Sequence, residues 1–207
     1  MIDIIIQGAL YGDFTLQTAN EYAKMSVVNK VIVSTWEDQK INHNDINNDK
    51  ILLLKSKLIE NGGPGNMNFQ IMSSRNGIDL AHDGLILKTR TDQFLYEHSL
   101  HKWLKYFDQQ KNQNTLRYMD GEKQRSKVYL IGNNKRFPFH PQDHFFLGFK
   151  QDVEKVFDLP LWEEPSWTWR DAPIDFSKKL RPNIYLGINY YNKFFPETNK
   201  FLQNKEK

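Results

Sequence analysis

Apolar residues in this chain come in short continuous runs separated by stretches of helical spacing. Residues 2–7 are almost unbroken aliphatic sequence ending at Gly8, the pattern of a strand buried on both faces. Leu16, Ala19, Tyr22, Ala23 and Met25 then recur at helical intervals, which predicts a crossover helix over 15–28. Runs at 30–35 and 50–55 predict a second and a third strand, separated by a polar, Asn-rich loop over 39–49. Asn61-Gly62-Gly63-Pro64-Gly65 is incompatible with regular structure, and it opens into a helical pattern over 66–81 carried by Met67, Ile71, Ser74 and Ile78. A central strand leaves Gly84 through Leu85-Ile86-Leu87. It is followed by a helix over 95–108, a strand over 128–131, a strongly apolar strand over 145–149 and a helix over 152–159 closed by Pro160. A Trp-rich irregular segment at 161–173 and a terminal helix at 183–202 complete the chain. The alternation of strands and helices predicts an α/β fold, a mostly parallel central sheet flanked by helices. A length of 207 residues suits one domain. Its expected parts are a binding half at 1–92, a catalytic half at 93–180 and a C-terminal helix at 181–207.

Composition narrows the classes. No apolar run approaches the roughly 20 residues that span a bilayer, and Met1 leads into a strand-like run instead of a secretory signal, so a cytoplasmic protein is expected. The absence of cysteine excludes disulfides, thiolate nucleophiles and thiolate metal sites. The net charge is only +3, yet the segment 99–137 holds nine Lys or Arg against Asp108, Asp120 and Glu122, a local field that favours an anionic partner. No nucleic-acid-binding module accompanies it, so nucleic acid is not the expected partner.

Candidate chemistry concentrates at the end of the central strand. Strand side chains alternate between faces, so Lys88, Arg90 and Asp92 point one way and place two cations and a carboxylate at a strand end. In open α/β sheets ligands bind in the crevice outside the carboxyl ends of the strands. The Gly62–Gly65 loop feeding a helix N-terminus also suits an anion, although it matches no established phosphate-loop spacing. Within that helix Gln70, Ser74 and Gly77 share a face. His140 and His144 have zinc-like spacing, but Pro138 and Pro141 oppose the helix that would align them, and no third ligand is evident.

The ordered set Gln7-Gly8, Ser34-Thr35-Trp36-Glu37, Asn66-x-Asn68-x-Gln70-Ile71-x-Ser73, Gly77, Leu87-Lys88-x-Arg90-x-Asp92, and Asp143 with Gly148 resembles the WavE lipopolysaccharide synthesis family, from residue 7 to about residue 158. It departs from the expected pattern at Ala9 and Phe69. The resemblance implies a GT-A-like glycosyltransferase of surface-polysaccharide assembly, using a nucleotide sugar and an oligosaccharide or lipid-linked acceptor. On that reading Gln7, Gly8 and Thr35 edge the nucleotide, and Asn68, Gln70, Ser74, Lys88 and Arg90 contact the donor. Arg90-Thr91-Asp92 aligns with the metal-binding Asp-x-Asp of such enzymes, so Asp92 is the candidate ligand for Mg²⁺ or Mn²⁺. Asp143 is the candidate catalytic base, its basicity expected to be raised by the adjacent Phe145 and Phe146, and His144 is its alternate. Two other classes remain open: a sugar nucleotidyltransferase, supported by the Gly-rich loop, and a non-catalytic carbohydrate-binding protein, supported by Trp162, Trp167 and Trp169.

Aromatic residues of the last helix interleave with Lys193, Lys200, Lys205 and Lys207, a composition suited to the headgroup interface of a membrane. Co-sedimentation with vesicles is therefore expected to require anionic lipid and to be lost on truncation after Leu180. Binding indifferent to both would leave the helix a purely structural role.

Overall fold

The computed structural model describes residues 1–42, 45–113, 115–130, 142–163 and 182–195. Six strands form one sheet: β1 (Ile2–Gln7), β2 (Val28–Trp36), β3 (Ile51–Ser56), β4 (Leu85–Arg90), β5 (Tyr129–Leu130) and β6 (Phe145–Phe149), in the order β3-β2-β1-β4-β6-β5. The β1–β2, β2–β3 and β1–β4 pairs are parallel, as the alternating pattern implies. The β4–β6 and β5–β6 pairs are antiparallel. An apolar run buried on both faces carries no directional signal, so periodicity alone left this reversal invisible.

Helices cover both faces. Helix α1 (Phe14–Lys24) and α3 (Glu97–Gln110) pack on Ile2, Ile4, Ile6, Val31, Val33, Leu87, Phe145 and Leu147. On the other face α2 (Met67–Asp79), α4 (Lys150–Phe157) and α5 (Pro182–Asn192) cover Ile5, Ile32, Ile86 and Phe146. The expected helix over 15–28 stops at Lys24 because Met25 is extended and β2 begins at Val28. The terminal helix is described only to Asn192. Residues 193–195 of the expected span are not helix, the first two forming a turn, and residues 196–202, with most of the Trp-rich segment and His140, lie outside the described residues.

One carboxylate stands in the middle of the aliphatic β1. Asp3 is fully buried, and it accepts hydrogen bonds from the His82 amide at 2.9 Å and Asn29 Nδ2 at 2.8 Å, with His82 Nδ1 at 2.6 Å. Burial alone pushes its pKa up, but these partners outweigh burial and hold it below the ordinary value.

The sequence face of Gln70, Ser74 and Gly77 lies on the sheet. A Cβ at Gly77 would stand 2.6 Å from Ile5 Cγ2 and 3.0 Å from Ser34 Cβ, so glycine sets how closely α2 approaches β1 and β2. Gly77→Ala gains up to about 1 kcal/mol of helix propensity but overpacks the core by about 1–3 kcal/mol. The urea midpoint is expected to fall. An unchanged midpoint would mean that the helix can lift from the sheet without loss.

Candidate active site

The strand order reverses beside β1: β2 and β3 lie on one side, β4, β6 and β5 on the other. At the carboxyl ends of β1 and β4, where such a switch leaves a crevice, a cleft of about 370 Å³ opens. Its walls include Gln7 to Tyr11, Trp36, Gly65, Asn66, Phe69, Gln70, Arg90 to Asp92, and Asp143. That volume lies within the range of about 300–1,000 Å³ typical of small-ligand sites.

The floor is built by local turns. Gly8 leaves β1 at φ 122°, a conformation that favours glycine, while its amide donates to the Ser34 carbonyl at 3.0 Å. The Thr91 amide donates to the Gln7 carbonyl at 3.2 Å, and the Thr15 hydroxyl donates to the Thr91 carbonyl at 3.0 Å, so helix α1 pins the turn after β4. The Ser73 hydroxyl lies 2.7 Å from Gln7 Oε1, which orients the Gln7 side chain.

Arg90 dominates the electrostatics. Its Nε and NH2 donate to the two oxygens of Asp92 at 2.9 and 2.7 Å, and NH1 donates to Asp143 Oδ2 at 3.1 Å. Gln70 Nε2 donates to the same Asp143 oxygen at 3.1 Å. The Arg90 fork holds the Asp92 carboxyl below its ordinary pKa, and the two carboxylates keep Arg90 protonated. Asp143 departs from expectation. Burial pushes its carboxyl up, but Lys88 and Arg90 outweigh that and hold its pKa down. Phe145 and Phe146 do not raise its basicity, because they turn into the two cores on opposite faces of the sheet.

Lys88 lies behind this floor and does not line the cleft. It is fully buried, with Nζ 5.3 and 5.0 Å from the ring centres of Phe146 and Phe157 and 3.2 Å from the Asp143 carbonyl, to which it donates. Its role is to hold the main chain that presents the Asp143 carboxylate.

Gln7, Gly8, Gln70, Arg90, Asp92 and Asp143 are thus brought together. Thr35, Asn68 and Ser74 are not. Thr35 is buried on the face opposite to Ser34 and Trp36, as strand alternation requires, so Trp36 is the residue that β2 lends to the cleft. Asn68 is consumed as a clamp: it donates to the carbonyls of Asn61 and Trp162 at 3.0 and 2.8 Å and accepts from the Trp162 amide at 2.8 Å. Ser74 is buried in α2 and stands apart from the cleft walls. His144 does not line the cleft, and its buried Nδ1 has no hydrogen-bond partner among the described residues.

The Gly-rich loop also serves packing. A Cβ at Gly62 would stand 2.7 Å from the Phe69 ring, and one at Gly63 would stand 3.0 Å from the Asn68 side chain. Of its glycines only Gly65 lines the cleft. Tyr11, Trp36 and Phe69 are the aromatic wall residues that sequence reasoning passed over as contacts. Trp36 and Phe69 pack at 5.3 Å between ring centres, and a Trp closing a buried strand was the available signal. Among the described residues the basic segment contributes no wall residue.

A divalent cation needs several oxygen donors converging on one point. Both Asp92 oxygens face Arg90, Asp143 Oδ2 is shared by Arg90 and Gln70, and no group of three His, Cys, Asp or Glu able to hold a metal occurs among the described residues. As the side chains stand these carboxylates are engaged by Arg90 and Gln70, and Asp92, together with waters and a donor diphosphate, is the residue that would hold Mg²⁺ or Mn²⁺.

The fold and cleft together define a single-domain α/β protein with a cation-floored cleft at the strand ends. The WavE lipopolysaccharide synthesis family profile matches residues 23–181, and the chain belongs to that family. No curated protein matches the sequence. Similar solved structures include the 2-C-methyl-D-erythritol 4-phosphate cytidylyltransferase of Francisella tularensis, at 13% identity over 76% of each chain with a TM-score of 0.40. A 4-diphosphocytidyl-2C-methyl-D-erythritol synthase shares 9% identity over 90% of this chain and 97% of its own, with a TM-score of 0.47. S. aureus TarS 1–349 shares 12% identity over 93% of this chain and 56% of its own, with a TM-score of 0.48. At such identities and scores none of them bears on activity.

Burial lowers the Lys88 pKa from 10.5 to about 7, with Asp143 pulling the other way. Between these values the unfolded chain holds a proton that the folded chain lacks, so stability is greatest at high pH and is lost as pH falls from about 10 to 7. Lys88→Met keeps the apolar contacts and removes that loss. At pH 7 it is expected to be at least as stable as the parent, with a flatter rise in stability toward pH 10 in paired melts. A large loss of stability at pH 7 would mean that the bond to the Asp143 carbonyl outweighs the cost of burying the amine.

Proposed function

We propose that this protein is a glycosyltransferase that moves a sugar from a nucleotide donor to a lipopolysaccharide or other surface-polysaccharide acceptor. The observation that carries the reading is Arg90, a permanent cation fixed by Asp92 and set beside a second carboxylate in a cleft at the switch point of the sheet. Membership of the lipopolysaccharide synthesis family supports the substrate class.

A donor diphosphate directed at Arg90 receives charge-assisted hydrogen bonds from a planar donor already oriented by Asp92. Trp36, Phe69 and Tyr11 offer aromatic surface at the cleft wall for a nucleobase. Asp143, held by Gln70 and by Lys88 through its carbonyl, is the group in reach of an acceptor hydroxyl and serves as general base. No step depends on a metal held by the protein. Among the described residues no helix is long and apolar enough to cross a membrane, and a lipid-linked acceptor would be met peripherally. Tyr191 and Phe195 are exposed near the end of α5 and fit such a contact. For the nucleotidyltransferase alternative, Gly62 and Gly63 pack against Phe69 and Asn68, and Gly65 is the glycine of the loop that reaches the cleft.

A thermal-shift panel of nucleoside diphosphate sugars against nucleoside triphosphates tests the reading. A donor at 100 times its Kd adds about 2.7 kcal/mol. Each kcal/mol is worth about 2–4 °C in a domain of this size. Diphosphate sugars are expected to shift the midpoint and Arg90→Ala to erase the shift. With the donor so identified, Asp143→Asn is expected to lower turnover by about two to four orders of magnitude. A response confined to triphosphates would move the protein to the nucleotidyltransferase class.

A further inference from the structure

An anionic ligand entering this cleft meets an obstacle. Its only cation on the wall, among the described residues, is already engaged by two carboxylates that face the same space. The two engagements are unequal. Of the five N–H bonds of a guanidinium, Asp92 takes two in a fork, at 2.9 and 2.7 Å, from a position two residues along the same chain segment. Asp143 takes one, at 3.1 Å, and the accepting oxygen has a second donor in Gln70. The Asp143 main chain is held independently by Lys88 Nζ at its carbonyl, so the carboxylate can swing while its backbone stays in place. The weaker, singly bonded partner is the one that gives way.

We propose that Arg90 is exchanged between Asp143 and the ligand: an oxyanion of a diphosphate takes NH1 in place of the Asp143 carboxylate, while Asp92 keeps its fork. The inference rests on reading the cleft as a diphosphate site. It adds an order of events, in which donor binding frees Asp143 for the acceptor. Before that exchange the carboxylate is masked by a guanidinium and is a poor base; afterwards it retains Gln70 and faces a newly bound neighbour. The device couples the two substrates without a moving loop.

Isothermal titration calorimetry with inorganic pyrophosphate, in EDTA and at constant ionic strength, tests the exchange. If Asp143 competes with the anion for Arg90, Asp143→Asn removes the competitor and tightens pyrophosphate about ten-fold or more, since a hydrogen bond to a charged group is no longer broken on binding. Asp92→Asn loosens the guanidinium and weakens binding. Arg90→Gln abolishes it, with circular dichroism melts confirming that each variant is folded. Equal tightening by Asp143→Asn and Asp92→Asn would show simple repulsion and overturn the exchange, as would an Asp143→Asn protein with unchanged or weaker affinity. Both results would leave the diphosphate reading standing. Pyrophosphate that binds neither the parent nor Asp143→Asn would overturn the exchange together with the anion-binding role of Arg90.

Discussion

The antiparallel pairing of β6 with β4 is the constraint on which the site depends. Its register sets Thr89 opposite Phe145 and Lys88 opposite Phe146, so β6 begins where β4 ends. Asp143, two residues before Phe145, therefore arrives beside Arg90 and Asp92, although 53 positions separate it from Arg90 in the chain. A parallel β6 would have delivered its opposite end to this cleft and left the carboxylate at the far edge of the sheet. The reversal costs nothing in burial. Phe145 and Leu147 fill the core under α1 and α3, and Phe146 fills the core under α2, α4 and α5.

Charge is arranged in depth. Lys88, fully buried, lies beneath the floor; Arg90, partly buried, forms the floor; Asp92 and Asp143 face the cleft. Two cations placed this close would repel, and Arg90 indeed adds to the lowering of the Lys88 pKa after burial itself. The consequence is a lysine poised near neutrality that fixes a main-chain carbonyl, and an arginine that stays charged at every accessible pH. The guanidinium occupies the space between the only carboxylates that face it among the described residues.

The segments that looked most like ligand loops turned out to be the ones that hold others in place. Asn68 ties Asn61 to Trp162, Gly62 accommodates the Phe69 ring, and Phe69 in turn packs on Trp36 at the cleft wall. Similarly, the basic segment is partly neutralised within itself and its neighbours. Lys111 of this segment pairs with Asp108, and its Arg125 pairs with Asp83. Its charge density was a property of composition, and its partners were decided by folding.

The sequence by itself determined the strands, the helices and the layering, because continuous apolar runs must be buried on two faces and a 3.6-residue stripe on one. It also placed Lys88, Arg90 and Asp92 at one strand end, through an alternation that needs no tertiary information. What only the tertiary structure decided was which of these groups meets the ligand space. Lys88 and Arg90 differ by one step along the same face, yet one ends sealed under Phe146 and Phe157 and the other opens on the cleft. Periodicity fixes the side to which a residue points. It is silent on strand direction, on the partner that arrives from 53 residues away, and on whether an aromatic ring or water covers the charge, and those long-range contacts set the electrostatics of the site.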